Sequence, residues 1–204
     1  MAATRLNIPN TLTALRIAAL PVFGWLWLQG STAALWVMGA AAFTDLFDGL
    51  LARKLNQQTA LGARLDPVAD KLFVFVSLLV ALWRGAAPLW FVETIVGRDA
   101  VMALGAIAVM RIDPAYYKGT VWKPTFLGKF ASSSVAFVCG MIALEDLVLP
   151  GNTLGWILTA LMAGCGVLVV ATLLQYAVTA IRGLRAAKAE RERASAGGEG
   201  DAPK

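Results

Sequence analysis

Apolar residues fall in membrane-length runs along most of the chain, separated by short polar connections. Six runs are expected to be helical spans: roughly Thr13–Gln29, Ala33–Arg53, Ala60–Trp83, Ala87–Met110, Thr125–Leu147 and Leu154–Leu184. Each is near or above the ~20 residues of helix that cross a ~30 Å hydrocarbon core. The polar start, MAATRLNIPNTLTALR, leads into a helix opened by Pro9 or Asn10. A secretory signal would use Arg5 as its charged start and the small residues near Thr32 to Ala34 as its cleavage site. Its apolar stretch would begin unusually late, after Asn10, Thr13 and Arg16, so an interfacial turn running into a first transmembrane helix describes this region better. From Arg182 the chain is basic and helix-compatible to about Ala194; the Gly-, Ala- and charge-rich remainder is expected to be disordered. The expectation is an all-α membrane protein of six transmembrane helices. One transmembrane domain covers 1–184, and a basic, partly disordered cytoplasmic tail covers 185–204.

Composition agrees. The 204 residues are 58% hydrophobic and 15% charged, with mean hydropathy +0.67, whereas soluble domains carry about 25% charged residues. The formal charge of +5 sits in certain loops and the tail, which points to topology and anionic headgroups and away from nucleic acid. There is no histidine, so histidine catalysis and histidine metal ligation are excluded. Cys139 and Cys165 lie in separate apolar runs without metal-type spacing and read as packing residues.

The placement of cations orients the spans. Arg53, Lys54 and Arg64 lie between spans two and three. Arg111, Lys118 and Lys123 lie between spans four and five, with Lys129 just inside span five, and the tail holds Arg182, Arg185, Lys188, Arg191, Arg193 and Lys204. The opposite side has Arg84, Glu145 and Asp146. Both termini are therefore expected on the cytoplasmic side of a bacterial inner membrane or its equivalent.

The segment Thr44 to Lys71, TDLFDGLLARKLNQQTALGARLDPVADK, changes the picture from scaffold to chemistry. It holds Asp45, Asp48, Asp66 and Asp70, four of thirteen acidic residues. A carboxylate at a membrane helix centre costs roughly 2.5–3.5 kcal/mol on insertion scales, so four within 26 positions call for compensation. At 100° per residue, Asp45, Asp48, Gly49 and Ala52 fall at about 0°, −60°, +40° and −20°, with Arg53 flanking at about +80°. On the next span Gly62, Asp66, Ala69 and Asp70 fall at about 0°, +40°, −20° and +80°. Two antiparallel helices joined by a short turn would thus present four carboxylates to one polar cavity at the cytoplasmic end, with Gly and Ala leaving room against the backbone.

An all-oxygen donor set suits Mg²⁺, Mn²⁺ or Ca²⁺ and argues against zinc or copper. Two divalent ions would neutralise four aspartates. With Arg53 alongside, such a site suits a diphosphate substrate and displacement at phosphorus. Ion pairing with Arg53, Arg64 and Lys71 is the structural alternative.

The pattern D-x2-D-G-x2-A-R-x8-G-x3-D-x3-D, here Asp45, Asp48, Gly49, Ala52, Arg53, Gly62, Asp66 and Asp70, resembles the motif of the CDP-alcohol phosphatidyltransferase family without gap or substitution. The resemblance implies six transmembrane helices with the site at the cytoplasmic side. It implies that Asp45, Asp48 and Asp66, with Asp70 as a partial ligand, hold two Mg²⁺ (or Mn²⁺) ions on the diphosphate of a CDP-linked lipid. Gly49, Ala52, Arg53 and Gly62 would shape the nucleotide pocket, and Asp70 would take the proton of an acceptor hydroxyl. A homodimer is also implied, and Gly151-Asn152-Thr153-Leu154-Gly155 has GxxxG form.

Three stretches bear on the acceptor. NIPNTLTALR resembles the start of CMP-forming cardiolipin synthases and of phosphatidylglycerophosphate synthases. Asn10, Thr13 and Arg16 either touch the CDP-lipid headgroup or serve as a helix cap and a snorkelling cation. Gly97-Arg98-Asp99 lies midway along span four, where an Arg–Asp neighbour pair either faces a polar cavity or is a structural ion pair; IVGRD resembles the cardiolipin synthase branch. Lys123-Pro124-Thr125-Phe126-Leu127-Gly128-Lys129 resembles that branch's PT-x2-SK, with Gly128 in place of Ser. Ser132 and Val135 stand where the family tends to have Thr and Gln. Arg98, Lys129 and Arg111 are the candidate ligands of an acceptor phosphate.

The expected reaction is transfer of a phosphatidyl group from CDP-diacylglycerol to phosphatidylglycerol, giving cardiolipin and CMP; glycerol 3-phosphate is the alternative acceptor. A membrane prenyltransferase would also hold a diphosphate through magnesium but lacks the D-G-x2-A-R run. A divalent-cation transporter would leave Gly49, Ala52 and Gly62 unexplained.

Overall fold

The computed structural model describes residues 8–54, 62–112, 125–149 and 153–198; side chains are described there except at 8–10, 45–54, 62–67, 112, 187 and 190–198. Helices α1 (Ile8–Leu28), α2 (Ala33–Lys54), α3 (Gly62–Trp83), α4 (Leu89–Ile112), α5 (Phe126–Val148) and α6 (Gly155–Gly198) follow in chain order. The described residues contain no strand. The helices match the six apolar runs closely; in the described connections, 29–32 and 84–88, the residues that break hydropathy also end the helix. At α1 the helix starts earlier than the apolar run and takes in Pro9 and Asn10; proline is tolerated in a first turn, where its missing N–H has no helical partner. At the other end α6 continues through Gly198, four residues beyond the point at which the tail was expected to lose helical order. Asn56, Gln57 and Gln58, the expected turn between spans two and three, lie outside the described residues.

Among the described residues, three helices are long and apolar enough to cross a membrane: α1 over Thr11–Leu28, α5 over Phe126–Val148 and α6 over Gly155–Ala186. This corrects the expectation that all six runs qualify. A further apolar helical stretch, Ala33–Thr44, reaches the end of the described side chains of α2. α4 falls short for a chemical reason: it carries Glu93, Arg98 and Asp99. The molecule is an all-helical membrane protein.

The turns after α1 and α3 are built alike. Gly30 and Gly85 have φ of 71° and 72°, left-handed values at which glycine carries no Cβ penalty. The Ser31 N–H donates to Leu26 O at 3.0 Å and the Ala86 N–H to Ala81 O at 2.8 Å, closing both helix ends.

The chain divides into two compact units, Met1–Val92 with Ser134–Met162, and Glu93–Ser133 with Ala163–Lys204. In the first unit α1 packs on α2 and α3. One face of α1 is buried at Thr13, Arg16, Leu20, Phe23 and Trp27, the alternating three- and four-residue spacing of a helix seam. Phe23 stacks on Phe73 at 4.8 Å and tilts against Trp27 at 5.6 Å. Gly24 lets α3 approach: a Cβ there would stand 3.3 Å from Val76 Cγ1. The contacts 16 with 70, 23 with 73 and 28 with 84 increase together, so α1 and α3 run in the same direction, as alternate spans of an up-and-down bundle must. At their C-terminal ends Asp146 of α5 accepts from Trp27 Nε1 at 2.8 Å and from two nitrogens of Arg84. In the second unit the buried residues include Ile95, Val109, Ala131, Cys165, Val169 and Thr172.

Candidate functional site

The aspartate motif divides between two helical segments. Asp45, Asp48, Gly49, Ala52 and Arg53 lie on the last turns of α2, and Gly62, Asp66 and Asp70 on the first turns of α3. The backbone is thus helical at each motif position, as the angular argument requires. The side chains of Asp45, Asp48, Arg53 and Asp66, and the surroundings of Gly49, Ala52 and Gly62, lie outside the described residues, as does the side chain of Asn10. Among the described residues no group of three or more His, Cys, Asp or Glu could hold a metal. The expected metal set includes three aspartates outside that description, so its donor chemistry is read from residue types alone: four carboxylates with no imidazole, an all-oxygen set that fits a hard divalent cation.

Asp70 is described, and its setting adds something the sequence did not reveal. Its Oδ1 accepts from Arg16 Nη1 at 2.9 Å, with the Arg16 side chain 5% exposed and that of Asp70 56% exposed. A buried cation on α1 therefore reaches the last aspartate of the motif while that carboxylate stays open to its surroundings. Thr13, one turn before Arg16, is fully buried. Of the two readings of Arg16, a snorkelling surface cation does not fit: its guanidinium is directed inward, to α3. The signal was present, since a cation on the apolar seam of a helix needs a counter-charge. Periodicity alone does not say which of the aspartates supplies it.

The three candidate acceptor cations lie in the second unit. Arg98 Nη1 donates to Asp99 Oδ1 at 3.1 Å, so the neighbour pair is engaged as an ion pair. Arg98 Nε is buried and has no hydrogen-bond partner among the described residues. Arg111 is in the last turn of α4 and exposed. Arg98 and Arg111 are thirteen residues apart on one helix, about 20 Å of rise. Lys129 is exposed in the first turn of α5.

The first turn of α5 explains the departure at Gly128. Thr125 caps the helix: its Oγ1 accepts from the Gly128 N–H at 3.1 Å. Tyr176 of α6 lies over the same turn, its hydroxyl accepting from the Thr125 N–H at 3.3 Å. A Cβ at residue 128 would stand 2.7 Å from that hydroxyl, a separation side chains essentially never show. Tyr176 escaped the sequence reading because it lies 48 positions away in an apolar run with no motif around it.

Comparison with known proteins bears on the same residues. The chain is 35% identical over 148 residues to a CMP-forming cardiolipin synthase of Streptomyces coelicolor, covering 69% of this chain and 66% of that protein. It is 41% identical over 109 residues to a CDP-diacylglycerol–glycerol-3-phosphate 3-phosphatidyltransferase of Pseudomonas fluorescens, covering 48% of this chain and 53% of that protein. It is 35% identical over 138 residues to a CMP-forming cardiolipin synthase of Rattus norvegicus, covering 60% of this chain and 45% of that protein. The chain thus spans between about half and two thirds of the length of these relatives. The profile of the CDP-alcohol phosphatidyltransferases runs from residue 6 to residue 172 and takes in both aspartate-bearing helices, Arg16, Arg98 and Lys129, so the chain belongs to the CDP-alcohol phosphatidyltransferase family.

Proposed function

We propose that the protein transfers a phosphatidyl group from CDP-diacylglycerol to the hydroxyl of phosphatidylglycerol, giving cardiolipin and CMP. The observation that carries this reading is the unbroken eight-position aspartate motif on helical backbone, ending at an exposed Asp70 carboxylate. In this reading Asp45, Asp48 and Asp66, with Asp70, hold two divalent cations, Mg²⁺ or Mn²⁺. When bound, those ions neutralise the donor diphosphate and make CMP a better leaving group.

The chain's own residues do the rest. Gly49, Ala52, Arg53 and Gly62 shape the nucleotide pocket, with Asn10 and Thr13 at the headgroup. Asp70 accepts the proton of the acceptor hydroxyl; the cluster offers no base other than a carboxylate. The hydroxyl oxygen then bonds to the lipid-side phosphorus, the bond from that phosphorus to the CMP oxygen breaks, and CMP departs with the electron pair. Arg16 holds the Asp70 carboxylate in place. Lys129 and Arg111 are exposed cations suited to an acceptor phosphate. Arg98, tied to Asp99, is the deeper of the candidates along α4.

Phosphatidylglycerol is favoured as acceptor because the IVGRD and Lys123–Lys129 segments resemble the cardiolipin synthase branch, and because two of the relatives above bear that name. The Pseudomonas relative supports glycerol 3-phosphate as the second reading. The wider picture proposed is a membrane-embedded 1–184 catalytic domain and a 185–204 basic tail. Both termini and the site would face the cytoplasm, and the active form would be a homodimer. The test is purified protein given labelled CDP-diacylglycerol with each acceptor in turn. Cardiolipin formation is expected, and turnover with glycerol 3-phosphate alone would reverse the choice.

A further inference from the structure

We infer that Tyr176 is a positioning residue for the acceptor end of the reaction, its hydroxyl fixing the first turn of α5 and through it Lys129. The inference rests on the transferase reading above and deepens it.

Five polar contacts meet at this turn. The Thr125 N–H donates to Tyr176 Oη at 3.3 Å, and the two hydroxyls of Thr125 and Tyr176 stand 3.4 Å apart. Thr125 Oγ1 lies 3.5 Å from Gln175 Oε1 and accepts from the Gly128 N–H at 3.1 Å. The Lys129 N–H closes the turn onto Thr125 O at 3.1 Å. Tyr176 therefore satisfies an N–H that a helix start leaves open, and it does so from another helix. Thr125 alone could cap the turn. The second hydroxyl, brought from α6, links Thr125, whose carbonyl accepts from the Lys129 N–H, to a partner on another helix.

The packing makes residues 128 and 176 interdependent. A Cβ at 128 would meet Tyr176 Oη at 2.7 Å and Thr125 Oγ1 at 3.1 Å, while the next ring atom, Tyr176 Cε2, is at 3.5 Å. With the phenol oxygen removed, the ring contact is ordinary, and only the Thr125 hydroxyl must give by a few tenths of an ångström. A phenol at 176 thus requires glycine at 128, and a phenylalanine at 176 makes room for a small hydroxyl-bearing residue there.

The experiment compares the full-length wild type, Tyr176→Phe, Gly128→Ser and the double variant, with CDP-diacylglycerol and whichever acceptor turns over. Tyr176→Phe is expected to raise the acceptor KM several-fold while the KM for CDP-diacylglycerol stays within twofold. Gly128→Ser alone is expected to lose at least tenfold in activity, and the double variant to recover most of that loss. An unchanged acceptor KM in Tyr176→Phe, with only a lower melting temperature, would leave a purely structural role and overturn the inference. A double variant no better than Gly128→Ser would also overturn it. If the wild type releases no CMP with any acceptor, the transferase reading itself fails and takes this inference with it; activity with a silent Tyr176→Phe refutes the inference alone.

Discussion

Arg16 Nη1 stands 2.9 Å from Asp70 Oδ1, joining a buried cation on α1 to the last carboxylate of the aspartate motif on α3. The pair is asymmetric. Arg16 is inside the helix seam and Asp70 is more than half exposed, so the arginine is the buried member and the carboxylate the accessible one. That arrangement suits a group that must be oriented without being sequestered.

Arg16→Met keeps much of the apolar stem packed on the seam and removes the guanidinium. Because Asp70 remains solvated, the lost pair itself contributes within about 1 kcal/mol of stability. Activity is expected to fall at least tenfold, with Arg16→Lys retaining a larger share. A melting curve in detergent beside a CMP-release assay separates the two effects. An active Arg16→Met would remove Arg16 from the positioning role.

Asp45→Asn and Asp70→Asn change charge at nearly constant volume. Each is expected to abolish CMP release while the protein still elutes as a folded species with its helical circular dichroism intact. Near-normal turnover in either variant would overturn the assignment of the site.

The helices were legible because hydropathy and helix formation break at the same residues, as α3 does at Trp83 before Arg84 and Gly85. The motif aspartates were legible because a carboxylate in an apolar chain demands a reason. Pairings between helices were not. Arg16 could be placed on a seam but not against Asp70. Tyr176 could not be connected to Gly128, since a missing side chain at 128 does not name the group that fills the space. The span count was not legible from length alone, because the charged residues Glu93, Arg98 and Asp99 interrupt the apolar stretch of α4.

Metal removal tests the donor set. Chelation with EDTA is expected to abolish CMP release, and Mg²⁺ or Mn²⁺ to restore it. Zn²⁺ is expected to restore it poorly, since the motif supplies oxygen donors without imidazole or thiolate. Full activity after exhaustive chelation would refute a divalent-cation site at these aspartates.

Asp146 tests the opposite end of the first unit. Its carboxylate takes two nitrogens of Arg84 and the indole N–H of the fully buried Trp27, while Arg84 also donates to Leu28 O at 3.3 Å. The Arg84 and Asp146 side chains are 25% and 16% exposed, too buried for water to replace the lost bonds fully. Asp146→Ala leaves a partly buried guanidinium and an indole N–H without this acceptor, a loss of about 2–3 kcal/mol for charged hydrogen bonds in such a setting. Asp146→Asn keeps an acceptor oxygen and should lose less, and Trp27→Phe, which removes one N–H and keeps a ring, about 1 kcal/mol. Asp70 and Arg84 are fourteen residues apart, about 21 Å along the α3 direction, so the chemistry should not sense the change. The expected result is a lowered melting temperature in the order Asp146→Ala, Asp146→Asn, Trp27→Phe, with CMP release per folded molecule within twofold of wild type below the transition. A selective loss of turnover at unchanged stability would mean that this cluster acts on the site and not on the packing of α1, α3 and α5.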